Sequence, residues 1–177
     1  MILPTARLLL RDFNADDWPA VYVYQRDPRY LRLYEWSDRT PEAVQTFVQM
    51  FVDQQVEQPR TRFQLAVTLL ESGALIGNCG IRLSAAGSHE AEIGYEIAPD
   101  QWGRGYATEA VAAIIHFGFM ELGVHRISAW LVADNVASAR VLEKNRLRLE
   151  GRLRDKERYK GRYWDVLMYA RLADEGV

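Results

Sequence analysis

Ile93-Gly94-Tyr95-Glu96-Ile97-Ala98-Pro99-Asp100-Gln101-Trp102-Gly103-Arg104-Gly105-Tyr106-Ala107-Thr108-Glu109-Ala110 is the stretch on which the reading of this chain turns. Glu90 to Ile97 reads as a strand that Pro99 stops. From Tyr106 the pattern becomes helical: Ala107, Ala110, Val111, Ile114, Ile115 and Leu122 share a face, and Gly123 is expected to end the helix at C′. Between them lies a turn with two glycines. The first N–H groups of a helix lack internal partners, and the helix dipole adds positive potential there. Gly103 and Gly105 have no side chain to hold an anion off the backbone, so the turn is a plausible diphosphate cradle. Arg104 either adds a charge-assisted contact or points into solvent.

Working outward, Arg7 to Arg11 reads as a first strand. Asn14 or Asp17 then caps a helix holding Trp18, Val21, Tyr22 and Tyr24. Thr40 and Pro41 open a second helix, in which Val44, Phe47, Val48, Phe51 and Val52 form one apolar stripe. Phe63–Leu70, Ala74–Leu83 and Glu90–Ile97 form a meander, and Gly77 and Gly80 mark a bulge or close backbone approach. Beyond the long helix come a strand at His125–Val132, a helix at Val136–Asn145, and strands at Leu147–Leu153 and Trp164–Tyr169. The order is that of an α/β fold with a mixed, mostly antiparallel sheet flanked by helices.

The 177 residues suit one domain spanning 1–177, without linker or repeat. A hydrophobic share of 49% with 26% charged residues is that of a globular protein. The net charge of -2 gives no global reason to expect a nucleic-acid partner, and no apolar run is long enough to span a membrane. The lone Cys79 excludes an intramolecular disulfide and suits a reducing, cytoplasmic setting. His89, His116 and His125 lack metal-binding spacing, so no metal is expected.

Two other phosphate-binding motifs fail against these residues. A Walker loop needs Lys and Ser or Thr where Tyr106-Ala107 stands. A dinucleotide fingerprint needs Gly or Ala at Thr108 and an acidic residue ending the next strand, whereas Glu121 still lies in the helical pattern. Trp102-Gly103-Arg104-Gly105-Tyr106-Ala107-Thr108-Glu109-Ala110 resembles the acetyl-CoA motif of the GNAT acetyltransferases, in the form of their RimJ/RimL-type N-terminal acetyltransferase branch. Asp134-Asn135-Val136-Ala137-Ser138-Ala139-Arg140-Val141-Leu142-Glu143-Lys144 is similar to the second signature of that branch, and Gly161-Arg162-Tyr163-Trp164-Asp165-Val166 to its closing hairpin. Two positions depart. Trp102 stands where the superfamily usually has Arg or Gln, leaving that contact absent or supplied by Gln101, and Arg146 stands where the branch usually has Gly.

The resemblance implies a GNAT fold and acetyl transfer from acetyl-CoA, as co-substrate, to a primary amine by direct attack in a ternary complex. It implies that the strand ending at Ile97 splays from the one ending at Val132. Pantetheine would pair with backbone around Ile97, and the diphosphate with the Trp102, Gly103, Arg104, Gly105, Tyr106, Ala107 turn. Asn135 would bond the pantetheine and reads equally as a turn or helix-cap residue, Lys144 either reaches the phosphates or is simply an exposed helix lysine, and Ser138 would assist the leaving thiolate. Glu157 would be the base, with Glu92 the rival on a strand face shared with Gly94 and Glu96, a face that reads equally as solvated. The acceptor cleft is expected on the first two helices, where Trp18, Tyr22, Tyr24, Tyr30, Tyr34 and Trp36 lie near Asp12, Asp16, Asp17, Glu35 and Asp38. The acceptor expected first is a protein or peptide amino terminus, ahead of a polyamine, antibiotic or amino acid. A non-catalytic acyl-CoA-binding module and a nucleotide-binding module are the rival readings, and the chain itself would be a monomer or homodimer.

Overall fold

The computed structural model describes residues 1–175. Two strands, β1 (Ile2–Pro4) and β2 (Leu8–Asp12), lead into α1 (Trp18–Gln25), the short α2 (Pro28–Leu31) and α3 (Pro41–Gln54). The meander β3 (Arg62–Leu69), β4 (Leu75–Leu83) and β5 (Glu90–Ile97) follows, then α4 (Tyr106–Met120). β6 (Arg126–Val132), α5 (Val136–Lys144), β7 (Arg148–Tyr159) and β8 (Arg162–Leu172) complete the order. Local sequence explains the helix starts: Thr40 accepts a bond from the Ala43 N–H with Pro41 in the first turn, and Asn135 accepts from the Ser138 N–H.

All eight strands form one sheet in the order β1-β2-β3-β4-β5-β6-β8-β7. Every neighbouring pair is antiparallel except β5 and β6. That parallel pair is short: it joins Glu90 to Arg126, Ala91 to Ile127 and Glu92 to Ser128, and then stops. β5 remains paired with β4 as far as Ile97, and β6 with β8 as far as Val132. Past Glu92 the sheet therefore opens as a wedge between two well-paired halves.

Each face of the sheet carries its own core. Ala91, Ile93 and Ile97 pack with Ala110, Val111, Ile114 and Ile115 of α4 and with Ala139 and Leu142 of α5. On the other face, Val21 and Tyr24 of α1 and Val44, Val48 and Phe51 of α3 cluster with Phe13 and Ala66. Burying each such aliphatic side chain contributes about 1.5–3 kcal/mol, so the α4 stripe alone fixes the helix on the sheet.

Several details differ from the sequence expectations. β1 was not anticipated; three residues carry too short a pattern to signal a strand, yet they pair with Leu9–Arg11. α2 is a single turn held by the Asp27 cap and was likewise unforeseen. β7 runs on to Tyr159 rather than ending at Leu153, because a register shift between Leu153 and Glu157 absorbs the interruption, with Asp155 at φ 52°. α4 ends at Met120, so Gly123, at φ 66°, lies farther out than C′. Arg146 takes the left-handed conformation, φ 63°, that suits Gly, at about 1–2 kcal/mol. The turn is retained because the Leu147 N–H donates to Leu142 O and the Leu147 side chain is buried.

Close approach, rather than conformational freedom, accounts for Gly77: a Cβ there would lie 2.1 Å from the Glu96 carbonyl oxygen. Gly77→Ala must therefore push β4 off β5 and is expected to destabilise the protein by about 1–3 kcal/mol in urea denaturation; an unchanged midpoint would contradict this packing.

Candidate active site

The wedge is lined by backbone. The Ala98 N–H donates to Ile76 O on the β4 side, at 2.7 Å, so the Ile97 carbonyl, anti to it across a trans peptide, points into the gap. There it accepts the indole N–H of Trp102 at 2.6 Å. By strand alternation the N–H and C=O of Tyr95 and Ile97 face the gap, where β6 no longer pairs with them. Trp102, which stands where Arg or Gln is usual, thus spends its indole N–H on strand backbone. Gln101 leaves its Oε1 buried without a hydrogen-bond partner.

At the mouth of the wedge, Gly103 and Gly105 have φ of 75° and 82°, so both glycines are required by the backbone. Gly105 is the N-cap of α4, and no side chain caps the helix. A Cβ on Gly103 would meet nothing within 4 Å, and Arg104 is exposed. Open backbone, unpaired amides and the positive end of a 15-residue helix are what an anion cradle requires. Arg104 contributes its carbonyl, which accepts from Arg7 Nη1 at 3.0 Å. Arg7 also holds Glu109 in the first turn of α4, its Nε donating to Oε2 at 2.7 Å, while Thr5 Oγ1 donates to Oε1 at 2.6 Å. Burial raises the Glu109 pKa, but the bonds from Thr5 and Arg7 outweigh it and the net shift is downward. Lys144 lies exposed at the far end of α5.

On the α4 and α5 face, Tyr95 reaches across the wedge to α5. Its hydroxyl lies 2.7 Å from Ser138 Oγ and donates to Ser138 O at 3.1 Å. Asn135 Oδ1 accepts from the Ser138 N–H at 3.2 Å, so the cap residue holds this turn, and with it Ser138, in place. Burial is the main cause that pushes the Tyr95 phenol well above its ordinary pKa, so it stays protonated near neutral pH. Tyr95 stood inside the quoted strand without a role; a tyrosine on a strand reads as core until its partner on another element is known.

The opposite face differs from the solvated one expected. Glu96 is buried, and its carboxylate takes four donors: Tyr24 hydroxyl at 2.6 Å, Gln25 Nε2 at 2.9 Å, Asn78 Nδ2 and the Tyr30 hydroxyl. Tyr30 stacks on Tyr34 with centroids 4.3 Å apart, and Tyr34 on Trp36 at 5.0 Å. Trp36 Nε1 is buried without a partner. The aromatic wall therefore exists, and two of the carboxylates expected beside it are engaged in ion pairs. Asp12 is bound by the chain's first amino group and by Arg60, and Asp17 by Arg11. Glu92 lies where strand pairing ends, with a 3.7 Å ion pair to Arg82 and a side chain 40% exposed. Glu157, placed in a loop by the sequence reading, stands on β7 opposite Trp164. By register it shares the sheet face of Glu92 and Glu96, on the hairpin whose Tyr159 hydroxyl donates to Leu33 O at 3.0 Å beside the aromatic wall.

Among the described residues no group of three or more His, Cys, Asp or Glu is placed to hold a metal ion, and Cys79 is buried with its thiol pKa raised by burial. No helix among them is long and apolar enough to cross a membrane.

Comparisons with known proteins agree with this geometry. A family model for the acetyltransferase (GNAT) domain matches residues 7–148. The chain is 34% identical to the uncharacterised N-acetyltransferase p20 of Bacillus licheniformis, over 98% of this chain and 97% of that protein. A crystal structure of a GNAT-family acetyltransferase from Bacillus anthracis superposes with a TM-score of 0.86 at 30% identity, covering 98% of this chain and 99% of that one. RimL, a ribosomal L7/L12 alpha-N-protein acetyltransferase solved with coenzyme A, shares the fold with a TM-score of 0.86 at 23% identity, covering 99% of this chain and all of that one.

Because the Glu109 pKa is depressed on folding, its contribution to stability is complete above about pH 4.5 and fades as the pH falls through the folded-state value. Glu109→Gln should lower stability near neutral pH, and the gap to wild type should narrow as the pH falls below about 4.5 in urea titrations; a gap independent of pH would contradict the charged contact.

Proposed function

The chain belongs to the GNAT acetyltransferase family, and from that premise we propose that this N-acetyltransferase is of RimJ/RimL type and moves the acetyl group of acetyl-CoA to a protein or peptide amino terminus. The observation that carries the reading is the wedge. It has unpaired strand backbone along one side, a glycine turn at its mouth, and a different set of reactive groups on each sheet face. Acetyl-CoA fits this arrangement from the α4 and α5 face. Its diphosphate would lie on the amides of Gly103 to Ala107, its pantetheine along Ile97 and Asn135, and its thioester near Ser138. RimL, which shares the fold, was solved with coenzyme A, and this supports coenzyme A chemistry as the reading. The acceptor would enter from the aromatic face, past Tyr34 and Trp36.

The chemistry follows from the groups present. A neutral amine attacks the thioester carbonyl, forming the C–N bond. Collapse of the tetrahedral intermediate breaks the C–S bond, and the thiolate needs a proton. Ser138 supplies it in this reading, held 2.7 Å from the Tyr95 hydroxyl, and the pair regains that proton from solvent once the thiol has left. The ammonium proton passes to Glu157, directly or through a water, with Glu92 as the alternative carboxylate. Glu96 is set aside as a base because four donors already occupy it; its place is to hold Tyr24 and Tyr30 against β5. One domain, a cytoplasmic setting and action as a monomer or homodimer complete the proposal.

Steady-state kinetics on amino-terminal peptides and small amines tests it. Ser138→Ala and Tyr95→Phe should each lower kcat by about 10- to 100-fold with little change in the KM for acetyl-CoA, and only the variant lacking the true base, Glu157→Gln or Glu92→Gln, should lose the ascending limb of the pH profile. Unchanged kcat in all four variants would sink the assignment.

A further inference from the structure

We propose that Arg7 is a positioning residue for the diphosphate site, acting from the start of the chain on a turn that lies nearly a hundred residues away. This rests on the acetyl-CoA reading above. Glu109 presents a difficulty for that reading: it is a carboxylate in the first turn of α4, beside the amides that would take the diphosphate. Left bare, it would repel the incoming anion, and the uncapped helix end would lose much of its attraction. Arg7 removes the conflict. Its Nη2 sits 2.7 Å from Glu109 Oε2, its Nε donates to the same oxygen, and its backbone N–H donates to Oε1 at 2.8 Å.

The same guanidinium fixes the turn. Nη1 donates to Arg104 O, and Nη2 would lie only 3.4 Å from a Cβ on Gly105. Across the trans peptide the Gly105 N–H is anti to that carbonyl, so anchoring Arg104 O to Arg7 turns the Gly105 amide to the opposite, open side. The plane of the guanidinium is set by Tyr106, whose ring centroid lies 4.6 Å from the Arg7 Cζ. Arg7 is thus held on three sides by the elements it positions, and its side chain is still 48% exposed at the cradle's edge. A residue needed only to join β2 to α4 would not have to hold a carbonyl inside the glycine turn as well.

The test compares two acetyl donors, acetyl-CoA and acetyl-pantetheine, which carries the same thioester arm without the diphosphate. Arg7→Ala should raise the KM for acetyl-CoA at least about tenfold with kcat at saturation nearly kept, and should leave kcat/KM for acetyl-pantetheine within about twofold of wild type. Adding Glu109→Gln to Arg7→Ala should restore part of the lost affinity, because it removes the unmasked negative charge. Arg7→Lys, which keeps the charge but not the fork, should show the same pattern in smaller measure and serves if Arg7→Ala does not fold. Equal losses with both donors, no loss with either, or no recovery in the double variant would overturn the role of Arg7 while leaving the family reading intact. A wild-type protein that binds no CoA in calorimetry would overturn both.

Discussion

Three residue pairs hold β5 to β6, and the proposed site depends on the pairing stopping there. An unpaired strand edge inside a sheet is costly when its N–H and C=O groups are left without partners. Here the cost is met without closing the gap. β5 has seven register partners on β4, and β6 has seven on β8, so each half of the sheet is rigid up to the opening. One exposed carbonyl, that of Ile97, takes an indole N–H from Trp102 in the turn that follows. In the proposed function the groups that remain serve as a slot for an extended ligand with amide groups of its own. A pantetheine arm has that chemistry, and strand-like pairing is the simplest way to hold it.

The sheet then separates two tasks by alternation along a single strand. Tyr95 points to the α4 and α5 face and meets Ser138; Glu96, the next residue, points to the other face and meets Tyr24, Gln25, Tyr30 and Asn78. A buried carboxylate is tolerable only when hydrogen-bonded, and four donors satisfy this one. Those donors come from α1, α2 and β4, so a single charge fastens the aromatic wall to the strand that borders the wedge. The two faces have different chemistry because they are consecutive residues of one strand, and the wedge is the place where the faces communicate.

Much of this was legible in the sequence, for identifiable reasons. The strand, glycine turn and long helix were readable because the helical stripe of α4 is long and because positive φ at Gly103 and Gly105 leaves few alternatives. The Asn135 cap and its neighbour Ser138 were readable because both contacts lie within one helical turn. Glu96 was not, since alternation says which residues share a face but not whether helices cover it. Tyr95 and Arg7 were missed because their partners are remote in the chain, separated from them by 43 and 102 residues. The reach of β7 was missed because a register shift hides the alternation that marks a strand. The ion pairs of Asp12 and Asp17 were not legible because partners such as Arg60 meet them only once the sheet is assembled.

In the proposed function the unpaired edge of β5 receives the cofactor as a strand would. Amide hydrogen exchange measured by NMR with and without acetyl-CoA tests it at single residues. The Ile97 amide, which faces the gap, should exchange readily in the free protein and become protected at least about tenfold on saturation, while the Ala98 amide, already donating to Ile76 O, should change little. Protection confined to the Gly103–Ala107 turn, with Ile97 unaffected by bound cofactor, would contradict it.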